Sequence, residues 1–252
     1  MINLKIAIQK SGRLNEDSLT LLKECGISIN NGKDQLMAQA SNFRLDVLYL
    51  RNSDIPQYVR DGVADIAIIG DNTEKEKKTG IRHVLDLGFS RCRLSIAVPK
   101  NVDFQDISYL QGKKIATSYP NSLKDFLTEN DIEAEIHEIS GSVVIAPNIG
   151  LADAICDLVS SGSTLFKNGL KEVYKIFESQ AILVANSGLC GEKQELLAQL
   201  VFRIKAVLAA KYNKYILLNA PEKALDRICR LLPGMKSPTI MPLRENGWVS
   251  VH

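Results

Sequence analysis

The stretch Gly150-Leu-Ala-Asp-Ala-Ile-Cys-Asp-Leu-Val-Ser-Ser-Gly-Ser-Thr-Leu165 decides the fold class of this chain. Its apolar middle is typical of a buried strand, and that pattern ends in small hydroxyl residues around Gly162. The residues that follow predict a short helix. A strand, a tight turn and a helix in that order form the repeating unit of an α/β sheet, and such sheets bind ligands at the carboxyl ends of their strands.

The turn after this strand has the composition of a phosphate site. Backbone N–H groups and several hydroxyls of Ser160–Thr164 can converge on one phosphate, aided by the amino end of the helix. Upstream, Asp153 and Asp157 are four residues apart, and the period-2 alternation of a strand places both carboxylates on one face. A carboxylate repels phosphate but accepts hydrogen bonds from hydroxyls, so the pattern predicts a sugar phosphate as the ligand.

The composition is that of a globular protein with little net charge. The chain has 252 residues, 45% of them apolar, and a formal net charge of +2, which argues against a nucleic-acid binder with a broad basic surface. No apolar run approaches the roughly 18 residues of a membrane span, and the first residues lack the layout of a signal peptide. The five scattered cysteines predict reduced thiols rather than disulfides. We therefore expect a cytoplasmic protein that binds neither nucleic acid nor membrane.

Strand and helix patterns alternate along most of the chain, which predicts an α/β fold with largely parallel sheets. The predicted strands are Leu4–Gln9, Leu45–Leu50, Ala64–Gly70, Leu94–Pro99 and Lys114–Ser118, followed by an extended segment at Lys171–Asn186. The predicted helices are Asn15–Cys25, one that begins near Ser53, and an amphipathic helix at Glu192–Tyr212.

A short internal echo suggests two similar halves. Gly62-Val-Ala-Asp65 and Gly150-Leu-Ala-Asp153 each precede a buried strand pattern. Two explanations stay open: the aspartates cap the preceding turns, or two lobes each contribute a strand end to a shared cleft. The expected lobes cover residues 1–95 and 96–175, with residues 176–213 packing back on the first. In residues 214–252 the pattern is a strand (Tyr215–Asn219), a helix (Glu222–Leu232) and two strands (Thr239–Leu243 and Gly247–Val251), an incomplete ferredoxin-like α+β module.

Charged and polar residues also mark the ends of other predicted elements. Lys10-Ser-Gly-Arg-Leu14 follows the first strand, Arg51 follows the second, and Gly70-Asp71-Asn72 ends the third. Cys92-Arg93-Leu94 and Thr117-Ser118-Tyr119-Pro120 mark further element ends. Each motif alone could be a solvated turn, but their joint placement indicates a ligand cleft.

Taken together, these motifs resemble ATP phosphoribosyltransferase across essentially the whole chain. The matching segments are Gln9–Leu14, Ile68–Gly70, Cys92–Leu94, Ala116–Pro120 and Gly150–Leu165. That family opens histidine biosynthesis by joining N1 of the adenine of ATP to 5-phosphoribosyl-1-pyrophosphate (PRPP), with release of pyrophosphate. The resemblance implies Mg²⁺ as cofactor, a core of two lobes like a type II periplasmic binding protein, and a homo-oligomer, for which a dimer is expected rather than a hexamer.

The resemblance also implies site residues. Those expected to bind PRPP are Asp153, Asp157, Ser160, Ser161, Gly162, Ser163 and Thr164. Those expected to line the ATP and pyrophosphate site are Lys10, Gly12, Arg13, Arg51, Asp71, Arg93 and Tyr119. No general base or metal ligand is assigned, because adenine N1 is itself the nucleophile and the protein must chiefly align two substrates.

Two departures from the family pattern carry expectations of their own. Val144 stands where the family has Glu, which predicts weaker catalysis or PRPP binding. Residues 214–252 resemble the beginning of the histidine-binding regulatory domain of long-form members, so we expect a shortened domain with impaired feedback inhibition. Two other hypotheses stay open: a family member that binds nucleotide or PRPP with poor turnover, and a two-lobed solute-binding protein.

Overall fold

The computed structural model describes residues 2–30, 35–232 and 237–252. It divides into two compact units, one up to Ile204 and one from Lys205 to His252. The helices are α1 (Arg13–Glu24), α2 (Ile55–Arg60), α3 (Asp71–Lys77), α4 (Pro120–Glu129), α5 (Ser163–Lys167), α6 (Glu192–Tyr212) and α7 (Leu225–Leu231). The 3₁₀ turns are Ile107–Leu110, Val143–Ile145, Pro147–Ile149 and Glu222–Ala224.

The strands are β1 (Leu4–Gln9), β2 (Met37–Gln39), β3 (Leu45–Leu50), β4 (Ile66–Gly70), β5 (Arg82–Asp86), β6 (Cys92–Pro99), β7 (Lys114–Thr117), β8 (Glu135–Glu138), β9 (Ala154–Val159), β10 (Leu170–Ser179), β11 (Ala181–Ala185), β12 (Leu218–Pro221), β13 (Ile240–Pro242) and β14 (Trp248–Val251). The predicted strands Leu4–Gln9 and Leu45–Leu50 and the predicted helix Glu192–Tyr212 are confirmed to the residue.

The first sheet and its helices form lobe I. Its strand order is β2-β3-β1-β4-β11-β5, with β1 parallel to β3 and β4, and with β11 antiparallel to β4. Residues Ile66–Ile69 of β4 are fully buried, and α2 packs on this sheet through Ile55 and Val59. A strand that is buried on both faces needs a continuous apolar run, which explains why the sequence pattern located β1 and β4.

The second sheet and its helices form lobe II. Its strand order is β10-β6-β9-β7-β8, with β7 parallel to β8 and β9 and with β6 antiparallel to β9 and β10. Helix α4 packs on Leu94 and Ile96 of β6 through Leu123 and Phe126, which are buried. Both lobes therefore have parallel central strands followed by helices, and the α/β prediction is confirmed.

The chain crosses between the lobes twice, once after β5 and once between β10 and β11. The two crossing segments are joined by a hydrogen bond from Ala181 N to Phe89 O, at 3.0 Å. Because β6 begins at Cys92 and β10 runs to Ser179, the expected lobe limits at 95/96 and 175/176 fall inside these two strands. Both strands are uninterrupted apolar patterns, so the sequence contains no break at the crossing.

The internal echo is a structural device that occurs once in each lobe. Asp65 N donates to Lys5 O (2.9 Å), and Lys5 N donates to Asp65 Oδ2 (2.8 Å). In lobe II, Asp153 N donates to Lys114 O (2.8 Å), and Lys114 N donates to Asp153 Oδ2 (2.9 Å). Each aspartate thus holds the first residue of the neighbouring parallel strand with two hydrogen bonds. Both contacts lie at the amino ends of the strands, on the side opposite to the expected cleft.

The unit from Lys205 to His252 contains a three-stranded antiparallel sheet in the order β12-β14-β13, together with α7. The predicted strand Tyr215–Asn219 is wrong by about three residues, because Tyr215 and Leu217 are exposed and pairing begins at Leu218. The predicted helix Glu222–Leu232 starts with a 3₁₀ turn before α7. Among the described residues, no helix has the length and apolar character that crossing a membrane requires.

Candidate functional site

Two cavities lie where the carboxyl ends of the strands of the two lobes meet. The first, here the arginine cavity, has a volume of about 530 Å³ and is lined by Asp71, Arg91, Cys92, Arg93, Ser160, Glu178, Ser179 and Gln180. The second, here the tyrosine cavity, has a volume of about 600 Å³, and its lining includes Asn52, Thr73, Glu76, Tyr119, Asn121 and Ser140. Each cavity takes residues from both lobes, as expected for a ligand cleft in a two-lobed α/β protein.

The loop between β9 and α5 has the geometry that its sequence predicts. Gly162 has φ +77°, a left-handed conformation that glycine adopts without strain. The turn brings the Ser161 and Ser163 hydroxyl oxygens to 3.0 Å from each other. Ser160 and Thr164 are exposed at the two ends of this loop. The loop therefore presents a group of hydroxyls and backbone N–H groups at the edge of the arginine cavity.

Two arginines hold Ser160 at the start of the loop. Arg13, the first residue of α1 in lobe I, donates from its NH2 to Ser160 Oγ at 3.2 Å. Arg93, on β6 of lobe II, donates from its NH1 to Ser160 O at 3.0 Å. The structure thus brings together three residues that were predicted from separate motifs. Two cations beside a loop of hydroxyls form an environment suited to an anionic ligand.

Glu172 fixes the orientation of Arg93. Its carboxylate accepts hydrogen bonds from Arg93 Nε and NH2, both at 2.5 Å, and from Ser95 Oγ at 2.8 Å. The hydrogen bonds from Arg93 are the main reason that the pKa of Glu172 is below its ordinary value. This bidentate pair leaves NH1 of Arg93 directed at the loop. The partners are 79 residues apart, so no local pattern could have predicted Glu172.

Asp157 and Tyr119 form the polar surface next to the loop. Burial raises the pKa of the Asp157 carboxyl, and the hydrogen bond from Leu158 N to Asp157 Oδ1 partly opposes this shift. Burial is also the main cause that raises the pKa of the Tyr119 hydroxyl, and the charge of Asp157 adds to it. Tyr119 therefore remains protonated, and its hydroxyl oxygen accepts a hydrogen bond from Asn72 Nδ2 at 3.3 Å.

Asp153 does not reach this site, which corrects the expectation that both aspartates face one ligand. Asp153 and Asp157 stand at opposite ends of β9, about 13 Å apart at the rise of a strand. The Asp153 carboxylate accepts from Lys114 N at the far edge of the sheet. Alternation gives the face of a strand correctly, but it does not tell which end of the strand carries the ligand.

The remaining predicted residues stand at the carboxyl edge of lobe I. Lys10 and Arg51 are exposed and follow the paired ends of β1 and β3, and Gly12, with φ +91°, precedes α1. Asp71 begins α3 and lines the arginine cavity, with its carboxylate 2.6 Å from Lys75 Nζ. These residues share one sheet edge, as predicted from their positions after strands.

Asn72 was taken for part of a turn, and the structure gives it a larger role. It is buried, its N–H donates to Ser179 Oγ at 2.9 Å, and its Oδ1 accepts from the same hydroxyl at 2.9 Å. With its contact to Tyr119, this side chain connects lobe I, lobe II and the second crossing segment. Its position directly after Asp71 was the only available sequence signal.

Val144 lies in the 3₁₀ turn Val143–Ile145, and its side chain is half-buried. It packs against an apolar cluster of lobe II that includes Ile155 and Val159. The residue therefore has a packing role here, and its effect on catalysis stays a prediction. Among the described residues, no group of three or more His, Cys, Asp or Glu side chains is arranged to hold a metal ion.

Comparison with known proteins gives two family matches. Residues 51–206 match the ATP phosphoribosyltransferase family, and residues 210–252 match the family described as HisG, C-terminal domain. The ATP phosphoribosyltransferase of Cytophaga hutchinsonii is 58% identical over 249 residues, covering 99% of this chain and 87% of that protein. That of Phocaeicola vulgatus is 53% identical over 249 residues, covering 99% of this chain and 88% of that protein.

Solved structures give the same answer for the fold. The ATP phosphoribosyl transferase (HisG:HisZ) complex from Thermotoga maritima matches with a TM-score of 0.71 at 28% identity, covering 82% of this chain and 99% of that one. A substrate binding protein of an amino acid ABC transporter matches with a TM-score of 0.56 at 12% identity, covering 82% of this chain and 94% of that one. The second likeness concerns the fold alone and confirms the expected periplasmic-binding-protein-like architecture.

Proposed function

The chain belongs to the ATP phosphoribosyltransferase family, and from this premise we propose how its cleft holds the two substrates of that pentosyl transfer in histidine biosynthesis. The observation that carries the proposal is the contact of Arg13 from lobe I and Arg93 from lobe II with the same residue, Ser160. A loop held by cations from both lobes is placed where a ligand would touch both of them.

The loop Ser160–Thr164 binds the 5-phosphate of PRPP in this proposal, and Asp157 binds the ribose hydroxyls. Burial disfavours the charged form of the Asp157 carboxyl, as its raised pKa indicates. Hydroxyl groups that donate to this carboxylate would stabilise its charged form. PRPP therefore supplies hydrogen bonds that the buried carboxylate otherwise lacks, while the phosphate is kept away from its charge.

The nucleotide takes the tyrosine cavity, and pyrophosphate takes the arginine cavity. Asn52 Oδ1 is buried at the tyrosine cavity with no hydrogen-bond partner among the described residues, so it can accept from an amino group such as that of adenine. Arg13 and Arg93 stabilise the charge that develops on departing pyrophosphate. Lys10, Gly12 and Arg51, at the same sheet edge, complete the anion-binding side of the cleft.

Mg²⁺ fits the arginine cavity. This ion usually binds one or two carboxylates together with substrate phosphates, so it does not need a cage of protein ligands. Asp71 and Glu178 both line the cavity and can supply such a carboxylate. When bound, Mg²⁺ would neutralise charge on the pyrophosphate. The protein's own residues would orient the adenine and the ribose in line, which is the main task because adenine N1 is the nucleophile.

Assembly and location follow from the family. The Thermotoga neighbour is a HisG:HisZ complex, so we infer that this chain also works in an assembly, a homo-oligomer with the dimer as its smallest form. We also infer a cytoplasmic enzyme, because ATP and PRPP are made inside the cell. Free cysteines such as Cys25 and Cys156 agree with a reducing compartment.

The test compares two isosteric substitutions on the same strand. Asp157→Asn should raise the KM for PRPP about ten- to a hundredfold, the range for hydrogen bonds to a charged group, and should change the KM for ATP much less. Asp153→Asn is the control, because it removes the same charge at the far end of β9. Initial rates of phosphoribosyl-ATP formation, with pyrophosphatase added, give both constants. Equal effects of the two substitutions, or of Asp157→Asn on both substrates, would contradict the assignment.

A further inference from the structure

Helix α4 has no cap from its own sequence. Its N-cap residue is Tyr119, whose side chain makes no capping hydrogen bond, and Pro120 occupies the first turn. The N–H groups of Asn121 and Ser122 then point out of the helix without an intrahelical acceptor, as the first N–H groups of any helix do. Such groups need an acceptor from elsewhere if they are buried.

Glu76 of lobe I provides that acceptor. Its carboxylate accepts from Asn121 N at 3.0 Å, from Ser122 N at 2.9 Å and from Ser122 Oγ at 2.8 Å. Its backbone oxygen accepts from Asn121 Nδ2 at 3.1 Å. The Glu76 residue is only 6% exposed. Every one of these contacts joins α3 of lobe I to α4 of lobe II.

The rest of the α3–α4 contact is also polar. Asn72, one turn before Glu76 on α3, donates to Tyr119 Oη. Lys78, which follows α3, places Nζ at 2.6 Å from Asp125 of α4. A carboxylate at a helix amino end is favoured both by the N–H groups and by the helix dipole. The two lobes are therefore held together by charge-assisted hydrogen bonds and not by an apolar core.

We propose that Glu76 is a positioning residue that joins the two lobes across the cleft, where a bound ligand would otherwise have to bridge them. The anion at the amino end of α4 is a side chain of the protein itself, so the lobes keep their spacing without substrate. That spacing brings Arg13 of lobe I within reach of Ser160 on lobe II. The inference uses the residue assignments proposed above only for its kinetic part.

The first measurement is amide hydrogen exchange without substrate, which does not depend on those assignments. Glu76→Gln keeps the shape of the side chain but turns an amide NH2 group toward N–H donors. We expect the N–H groups of Asn121 and Ser122 to exchange at least about tenfold faster, as expected for the loss of a charge-assisted hydrogen bond. Glu74→Gln is the matched control, because the Glu74 carboxylate lies on the same helix and accepts from Gly80 N within lobe I.

The second measurement is steady-state kinetics on the same variants. Because Glu76 sets the spacing of both lobes, Glu76→Gln should raise the KM values for ATP and PRPP together, while Glu74→Gln leaves both unchanged. Ser122→Ala removes one donor from the lobe II side, and it should have the same effect at a smaller size even if Glu76→Gln folds poorly. Faster exchange with unchanged KM values would reduce Glu76 to a helix cap. A rise for ATP alone would mean direct contact with the nucleotide, and either result would overturn the proposal.

Discussion

Gly162→Ala tests the phosphate loop most directly, because the structure separates steric crowding from backbone strain at this position. A Cβ added to Gly162 has Val159 Cγ1 as its nearest neighbour, at 3.9 Å, which is an ordinary contact. The φ of +77°, by contrast, costs an alanine about 1–2 kcal/mol. Any effect of this substitution therefore comes from the backbone conformation of the loop.

The size of the binding effect depends on whether the free loop relaxes. If alanine kept the left-handed conformation with and without substrate, the strain would cancel in binding and would lower only the stability. Because the loop is exposed, we expect the free loop of the variant to leave that conformation, so that binding of phosphate must restore it. The KM for PRPP should then rise about 5- to 30-fold, which is the same 1–2 kcal/mol expressed as a binding ratio.

Gly169→Ala is the matched control for this experiment. Gly169 has φ +71° with open space around its Cβ position, and it follows the opposite end of α5. Both variants should lower the melting temperature by a few degrees, about 2–4 °C for each kcal/mol in a chain of this size. Initial rates at saturating ATP and varied PRPP should show a raised KM in the Gly162 variant alone. The same KM in both variants would refute the idea that the conformation of this loop determines PRPP binding.

Two further predictions concern the charge of Asp157 and the side chain at position 144. Because burial raises the pKa of Asp157 above 3.8, the unfolded chain loses this proton at lower pH than the folded protein, so this group lowers stability as the pH rises from about 4 towards neutrality. Thermal melts should show that Asp157→Asn gains stability relative to the parent over this interval, and a difference that does not vary with pH would contradict the burial argument. Val144→Glu should raise turnover with saturating substrates and lower the melting temperature, because it trades contact with the Ile155 cluster for a carboxylate; unchanged turnover would show that a missing carboxylate does not limit catalysis.

The elements that the sequence predicts well are those with continuous local patterns. Strands β1 and β3 and helix α6 were located to the residue, because an apolar run or a helical period extends over their full length. The loop at Ser160–Thr164 was found for a similar reason, since all its residues are contiguous. In the second unit the apolar residues Tyr215 and Leu217 misled the strand prediction, because they are exposed and unpaired with β14.

Contacts between distant residues could not be predicted in this way. Arg93 finds Glu172, and Glu76 finds Ser122, across 79 and 46 residues of chain respectively. The residues involved carry no distinctive neighbours, so each glutamate looks like an ordinary surface charge on its own helix or strand. Burial and hydrogen bonding, which only the fold supplies, distinguish them from the exposed acids nearby.

The two lobes are alike at the amino ends of their strands and different at the carboxyl ends. Asp65 and Asp153 make the same pair of hydrogen bonds to the first residue of a neighbouring strand. At the other edge, β4 leads into α3, whose Glu76 reaches across to lobe II, whereas β9 leads into the loop of hydroxyls. One lobe thus supplies the contact that spans the cleft, and the other supplies the phosphate loop. A residue motif repeated in both lobes is therefore evidence for a structural role, because a site built for two different substrates needs different groups on its two sides.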